Sequence, residues 1–253
     1  MKISLGSISS LAIFSAVKSL PTSLIARQVE TCPINALSCT PDAGGSCCSP
    51  ANSRVVLVQG WYQGLGPADS FTMNSLRASH CDGRRTRWGC DPSRNYPNLD
   101  SILSVNQTLY DEMRTYWPSV NGPDRNDEFW SHEWENQGTC ITTLEPKCFS
   151  NYTQYQDVYT YFGTALQLHQ QHDLFAMLSN SNITPGGSYS LDVFEEAIRS
   201  YTGFTPKITC NQGSVLNEIM IYFNVRNGDQ YEPTDSTEHS FCRRQSMIHF
   251  PVK

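Results

Sequence analysis

Hydrophobic and polar positions alternate in distinct rhythms along this chain, and each rhythm predicts an element. Residues 54–61 read Arg-Val-Val-Leu-Val-Gln-Gly-Trp, a short β-branched run that predicts a buried central strand. A loop over 64–70 leads to Phe71-Thr-Met, a second expected strand. From Asn98 or Asp100 the period changes. Leu99, Ile102, Val105, Leu109, Met113 and Tyr116 recur at three- and four-residue steps, so a single helix is expected, stopped by Pro118. Tyr155, Val158, Phe162, Ala165 and Leu168 predict a second amphipathic helix, residues 173–178 a shorter one, and residues 191–201 a third long one ended at Gly203. Residues 207–210 and 216–225 read as strands, while 28–53 and 77–98 read as irregular, cysteine-bounded loops. With no repeat and no linker, one α+β domain over 27–253 is expected.

Composition adds a compartment. Residues 1–26 resemble a secretory signal: Lys2 supplies the charge, 11–17 the apolar stretch, and cleavage falls somewhere between about Ser19 and Arg27. Beyond it no apolar run of about 18 residues could span a membrane. Ten cysteines suit an oxidising compartment and five disulfides, and no Cys-x₂-Cys pair is accompanied by His at zinc spacing, so no metal or other cofactor is expected. Cys47 and Cys48 are neighbours, so they should staple two different parts of the chain to one point. Asn106-Gln-Thr, Asn151-Tyr-Thr and Asn182-Ile-Thr are glycosylation acceptors. A secreted, extracellular monomer is expected.

Formal net charge is −6, so the molecule as a whole does not attract polyanions. Arg77, Arg84, Arg85, Arg87 and Arg94 nevertheless lie within eighteen residues, either as a local anion-binding patch or as a solvated loop. The second dense region is Phe129-Trp-Ser-His-Glu-Trp-Glu-Asn-Gln-Gly-Thr-Cys140. On a helix, His132 would look toward Asn136, and Glu133 toward Asn136 and Gln137. Such a cluster suits an anionic or hydroxylated ligand; it equally suits a surface turn held by two buried tryptophans.

These segments together resemble the secreted ribonuclease T2 family from about Cys32 to Phe250. The resemblance is carried by Gly66-Pro-Ala-Asp-Ser-Phe-Thr-Met, Cys81-Asp-Gly, Tyr116-Trp-Pro-Ser, Phe129-Trp-Ser-His-Glu-Trp, Tyr161-Phe-Gly-Thr-Ala-Leu, Ile183-Thr-Pro-Gly, Gly203-Phe-Thr-Pro, Glu218-Ile and Tyr222-Phe. It implies an antiparallel sheet packed with several helices. It also implies the fungal disulfide set Cys32–Cys48, Cys39–Cys81, Cys47–Cys148, Cys90–Cys140 and Cys210–Cys242. Family members cleave single-stranded RNA without metal through a 2′,3′-cyclic phosphate: two histidines move protons, while a third His, a Glu and a Lys hold the phosphate.

Here the pattern breaks. The family's His-Gly-Leu-Trp-Pro is matched by Asn74-Ser-Leu-Arg-Ala, and its His-Glu-Trp-x-Lys-His-Gly-Thr-Cys by residues 132–140. His132 and Glu133 remain; Asn74 and Gln137 replace the proton-transferring histidines, and Asn136 replaces the Lys. Carboxamides do not titrate near neutral pH. Losing one positioned proton-transfer group costs about 10²–10⁴ in rate. Losing an electrostatic stabiliser costs on the order of 10²–10³, and such losses do not multiply cleanly. His80, six residues after Asn74, is the candidate for a relocated imidazole. In the base pocket the family's Trp and Asp become Arg77 and Ser79, so base reading changes; Trp134 is expected beside them on the substrate side, with Arg84, Arg85 and Arg87 at the rim.

The sequence therefore implies a ribonuclease T2-like pseudoenzyme. It would bind single-stranded RNA, another anionic ligand or a host protein, the last in an effector-like role. The alternatives are a slow endoribonuclease using His132, Glu133 and His80, and a surface glycoprotein with no ligand.

Overall fold

A computed structural model describes residues 31–51, 53–84, 86–87, 89–211, 214–242 and 247–253. The expected signal segment and Arg85 lie outside the described residues. The chain forms β1 (Ser53–Gly60), β2 (Thr72–His80), α1 (Leu99–Leu103), α2 (Gln107–Tyr116), α3 (Asn126–Asn136), α4 (Gln156–Gln171) and α5 (Leu174–Asn180). It continues through β3 (Ser188–Tyr189), α6 (Leu191–Thr202), β4 (Lys207–Cys210), β5 (Leu216–Arg226), β6 (Gln230–Thr234) and β7 (Ile248–His249). The main sheet is antiparallel in the order β2-β1-β5-β4, and β6 pairs with the distal half of β5. β3 and β7 form a separate two-stranded ribbon.

Side-chain alternation divides the sheet into two faces. Val55, Leu57, Leu76, Ala78, Ile219, Ile221 and Phe223 point into the main core with Trp117, Trp130, Trp134, Tyr161 and Phe162. Val56, Val58, Met220 and Tyr222 form a second buried cluster on the opposite face. Register places Arg77 across from Val56, which pairs in turn with Tyr222, so Arg77 lies in a row across that second face.

The five implied disulfides are all present. Cys47 and Cys48 do fasten separate regions, joining Cys148 and Cys32.

Two elements differ from expectation. The helix over 99–116 is two helices, because Asn106 leaves the helical path and caps α2, its side chain accepting from Leu109 N at 3.3 Å. Val105 consequently faces solvent instead of the core. β2 runs on to His80, through residues expected as loop, because Leu76 and Ala78 alternate with the polar outer-face residues Ser75, Arg77 and Ser79. β6 has no clear signal in the apolar pattern; it is short, carries Pro233 and lies at the sheet edge, where a missing N–H is tolerated.

Candidate functional site

The site is assembled from β2 and α3. Asn126 anchors the start of α3, its Oδ1 accepting from Ser119 N at 2.8 Å, and Asp127 and Glu128 in the first turn suit the helix dipole. Trp130 Nε1 donates to Trp117 O at 2.8 Å, and Trp134 Nε1 to Arg94 O at 2.7 Å. These two anchors set the rotation of α3, turning Glu133 inward and leaving His132 exposed. Gly138 follows because a Cβ there would lie 2.5 Å from the Trp134 ring.

Asn74 sits where the β1–β2 register slips: Val58 pairs with Ser75 and Gln59 with Met73, leaving Asn74 as a bulge. Its Nδ2 donates to Glu218 Oε1 at 2.5 Å, and the Tyr62 hydroxyl donates to the same oxygen at 3.0 Å. Its backbone carbonyl accepts from Trp117 Nε1 at 3.1 Å. Burial, then the adjacent Glu218, pushes the Tyr62 hydroxyl far up, so it remains a donor. The Asn74 amide is thus already committed.

Glu133 is 7% exposed, and its Oε2 accepts no hydrogen bond among the described residues. Ser75 Oγ, buried nearby, is likewise without a closed hydrogen bond, although it and Arg77 both favour the ionised carboxylate electrostatically. Burial outweighs both and raises the carboxyl to about 7. His132 Nδ1 lies 3.2 Å from Asn136 Nδ2, which also donates to His132 O at 2.9 Å. Gln137 is buried at the end of α3, its N–H closing the last turn on Glu133 O at 2.9 Å. The expected facing of His132 to Asn136 is therefore seen, but His132 and Glu133 occupy opposite environments.

Several expected ligand contacts are corrected. Trp134 has no exposed surface; it is packed at 6.1 Å against the Tyr96 ring with the Arg94 guanidinium over it, so it is core and not a substrate surface. Ser79 is buried on the outer face of β2. Arg94 leaves the proposed patch altogether: it pairs with Asp91 at 2.9 Å and the fully buried Asp157 at 3.7 Å, and donates to Thr139 O at 2.7 Å. His80 cannot replace position 74, since six residues along one strand span roughly 20 Å.

Arg84 and Arg87 are exposed on the 81–90 loop, pinned by Cys39–Cys81 and Cys90–Cys140. Arg84 Nε pairs with Asp82 at 2.7 Å, so part of its charge is answered locally. Arg77 is half-buried, its Nη2 contacting Met220 Sδ at 3.5 Å. A cavity of about 460 Å³ lies elsewhere, lined by Leu65, Asp111, Arg114, Thr115, Pro118, Pro123 and Asn126. None of the five motif positions lines it. Among the described residues no group of three or more His, Cys, Asp or Glu side chains could hold a metal. Nor, among the described residues, is any helix long and apolar enough to cross a membrane.

Sequence reasoning missed the roles of Tyr62, Ser75 and Glu218. Glu218 had a readable signal, a carboxylate within the apolar run of β5, but its partner lies 144 residues away.

Comparison with known proteins agrees with this architecture. Residues 39–241 match the model of the Ribonuclease T2 family. Ribonuclease Rh of Rhizopus niveus is 37% identical over 94% of this chain and 99% of its own. Ribonuclease M of Aspergillus phoenicis is 35% identical over 89% and 98%. The crystal structure of Actibind, described as a T2 ribonuclease, superposes with a TM-score of 0.82 at 34% identity, covering 89% of this chain and 99% of its own.

Proposed function

This chain belongs to the ribonuclease T2 family, and from that premise we propose that it is a secreted member that no longer cleaves RNA effectively and acts by binding. The observation that carries this reading is the fate of position 74. Where the family places a proton-transferring imidazole, this chain has an amide that cannot titrate and that is hydrogen-bonded to Glu218 at 2.5 Å. Gln137 offers no second titratable group, and Asn136 supplies no cation beside Glu133. Without that cation Glu133 is a buried carboxylate that closes no ion pair among the described residues, in keeping with its raised proton affinity.

The ligand class we favour is single-stranded RNA or another phosphate-bearing anion. Arg84 and Arg87, on a loop fixed by two disulfides, and the half-buried Arg77 on the preceding strand supply cationic donors suited to phosphate. Export is supported by ten cysteines arranged in five disulfides and by the exposure of Asn106, Asn151 and Asn182, the three glycan acceptors.

The test uses purified, glycosylated protein and end-labelled single-stranded RNA. Saturable, salt-sensitive binding without new 2′,3′-cyclic phosphate ends supports the reading. Turnover comparable to an ordinary family member sinks it.

A slow endoribonuclease is the second reading, favoured by retention of His132 and Glu133 and by relatives that carry the name ribonuclease. It requires that His132→Ala abolish production of cyclic-phosphate ends.

A further inference from the structure

Lys253 is half-buried, and its ammonium is enclosed by the protein. Nζ donates to Ser70 O at 2.7 Å, to Pro67 O at 3.0 Å and to Thr72 Oγ1 at 3.1 Å. It also lies over the Trp61 ring, 4.9 Å from the centroid. An ammonium has three N–H donors and no acceptor, so these three oxygens answer all of them. Burial lowers its proton affinity to about 8, opposed by the charge of Asp69, so the group is charged at neutral and acid pH.

The acceptors belong to the segment between β1 and β2 and to the first residue of β2, and through them the ammonium reaches a cavity. Thr72 Oγ1 accepts from Lys253 and donates its own proton to Leu65 O at 3.0 Å. Leu65 is a wall of the cavity of about 460 Å³, which α2 also lines through Arg114 and Thr115. Gly66, at φ +70°, leaves no room for a side chain here: a Cβ would lie 3.1 Å from Thr72 Oγ1 and 3.5 Å from both Lys253 Nζ and Thr115 O. The loop is thus wedged between the ammonium and the end of α2.

We propose that Pro67 O, Ser70 O, Thr72 Oγ1 and the Trp61 face form a cage for a primary ammonium, that Lys253 is its tethered ligand, and that the filled cage locks the 64–70 loop as a wall of that cavity. This lock does not depend on the chain binding an anion. The backbone beside Lys253 is fastened without its side chain: Phe250 N donates to Gly187 O at 3.0 Å, Trp61 Nε1 to Pro251 O at 2.7 Å and Gln63 Nε2 to Val252 O at 3.1 Å. The Phe250 ring also packs 4.7 Å from the Trp61 ring. Lys253→Ala therefore empties the cage without detaching the segment that carries it, and an added primary ammonium can enter.

The experiment follows amide hydrogen exchange in native protein and Lys253→Ala at pH 6.5, with circular dichroism confirming that each is folded. Hydrogen bonds from a charged group hold a local structure closed by roughly ten- to a hundredfold. Peptides covering 63–73 should exchange faster by about that factor in the variant, while peptides covering α4 and β5 keep their native rates. Added methylammonium should slow exchange of 63–73 in Lys253→Ala severalfold. Tetramethylammonium at the same concentration has the same charge but no N–H donor, and should not. A second measurement needs no variant. In native protein labelled with ¹⁵N-lysine, the Lys253 ammonium should exchange its protons with water at least about tenfold more slowly than the exposed Lys147.

Native exchange rates over 63–73 in Lys253→Ala overturn the lock. Equal protection by the two added ions overturns the cage, because bulk charge then accounts for the effect, and protection by neither does the same. If the variant does not fold, equal proton exchange at Lys253 and Lys147 in native protein overturns the cage by itself.

Discussion

Replacing Glu133 with Gln should stabilise the protein at alkaline pH and remove part of its pH dependence. The side chain is buried, its Oε2 accepts no hydrogen bond among the described residues, and burial raises its carboxyl from 4.5 to about 7. The folded state therefore keeps the proton through a range in which the unfolded chain has released it. Stability from this group is complete below about pH 4.5 and is lost as pH rises through 7, becoming level above that. At 1.36 kcal/mol per pH unit the whole effect is about 3 kcal/mol. Gln keeps the volume, carries no charge, and can donate to the orphaned Ser75 Oγ. Glu133→Gln and native protein should thus be nearly equal in stability at pH 4.5. At pH 8.5 the variant should lead by up to about 3 kcal/mol, or roughly 6–12 °C in Tm for a domain of this size. Urea unfolding at a series of pH values, with disulfides intact, measures the difference directly. Parallel pH profiles, or a variant less stable than native at pH 8.5, would refute the reasoning.

Other perturbations separate structure from binding. Asp157→Asn removes a fully buried partner of Arg94 and should cost about 3–5 kcal/mol; a loss below about 1 kcal/mol in thermal melts would show that Asp91 alone suffices. Gly228→Ala imposes a side chain at φ +93° with its Cβ 2.7 Å from Cys47 O, and should destabilise by on the order of 2 kcal/mol. Gly163→Ala, in the interior of α4 with nothing within 4 Å, should be neutral or stabilise by up to about 1 kcal/mol in the same melts. On the 81–90 loop, Arg87→Gln should lower the salt slope of RNA binding by about 1, and Arg84→Gln by less, because Asp82 already pairs with Arg84. Equal slopes for the two variants would contradict that ranking.

Much of the fold is legible in the sequence because it follows local periodicity. The β-branched run of β1, the helical stripe of α4 and the Gly203 stop of α6 all lie within a few residues of their expected bounds. The break at Asn106 was hidden because the apolar spacing runs through it, and one capping hydrogen bond determines the change of direction. β2 was truncated because its outer face is polar, and a strand backed by other groups on that face need not read as apolar. In the candidate site, residue types are visible but their commitments are not. Asn74 is joined to Glu218 across the sheet, Arg94 is drawn inward by Asp157, and Trp134 is turned into the core by its hydrogen bond to Arg94 O. These depend on tertiary neighbours that no short window contains. The five cysteine pairs were legible through family resemblance, since spacing alone leaves their connectivity open.

The most direct test of the account is RNA cleavage by native protein beside an Asn74→His/Asn136→Lys/Gln137→His variant, read as 2′,3′-cyclic phosphate ends between pH 4 and 8. The account predicts that the variant produces these ends and the native protein produces few or none. Native cleavage that matches the restored variant, and that disappears in His132→Ala, would contradict it.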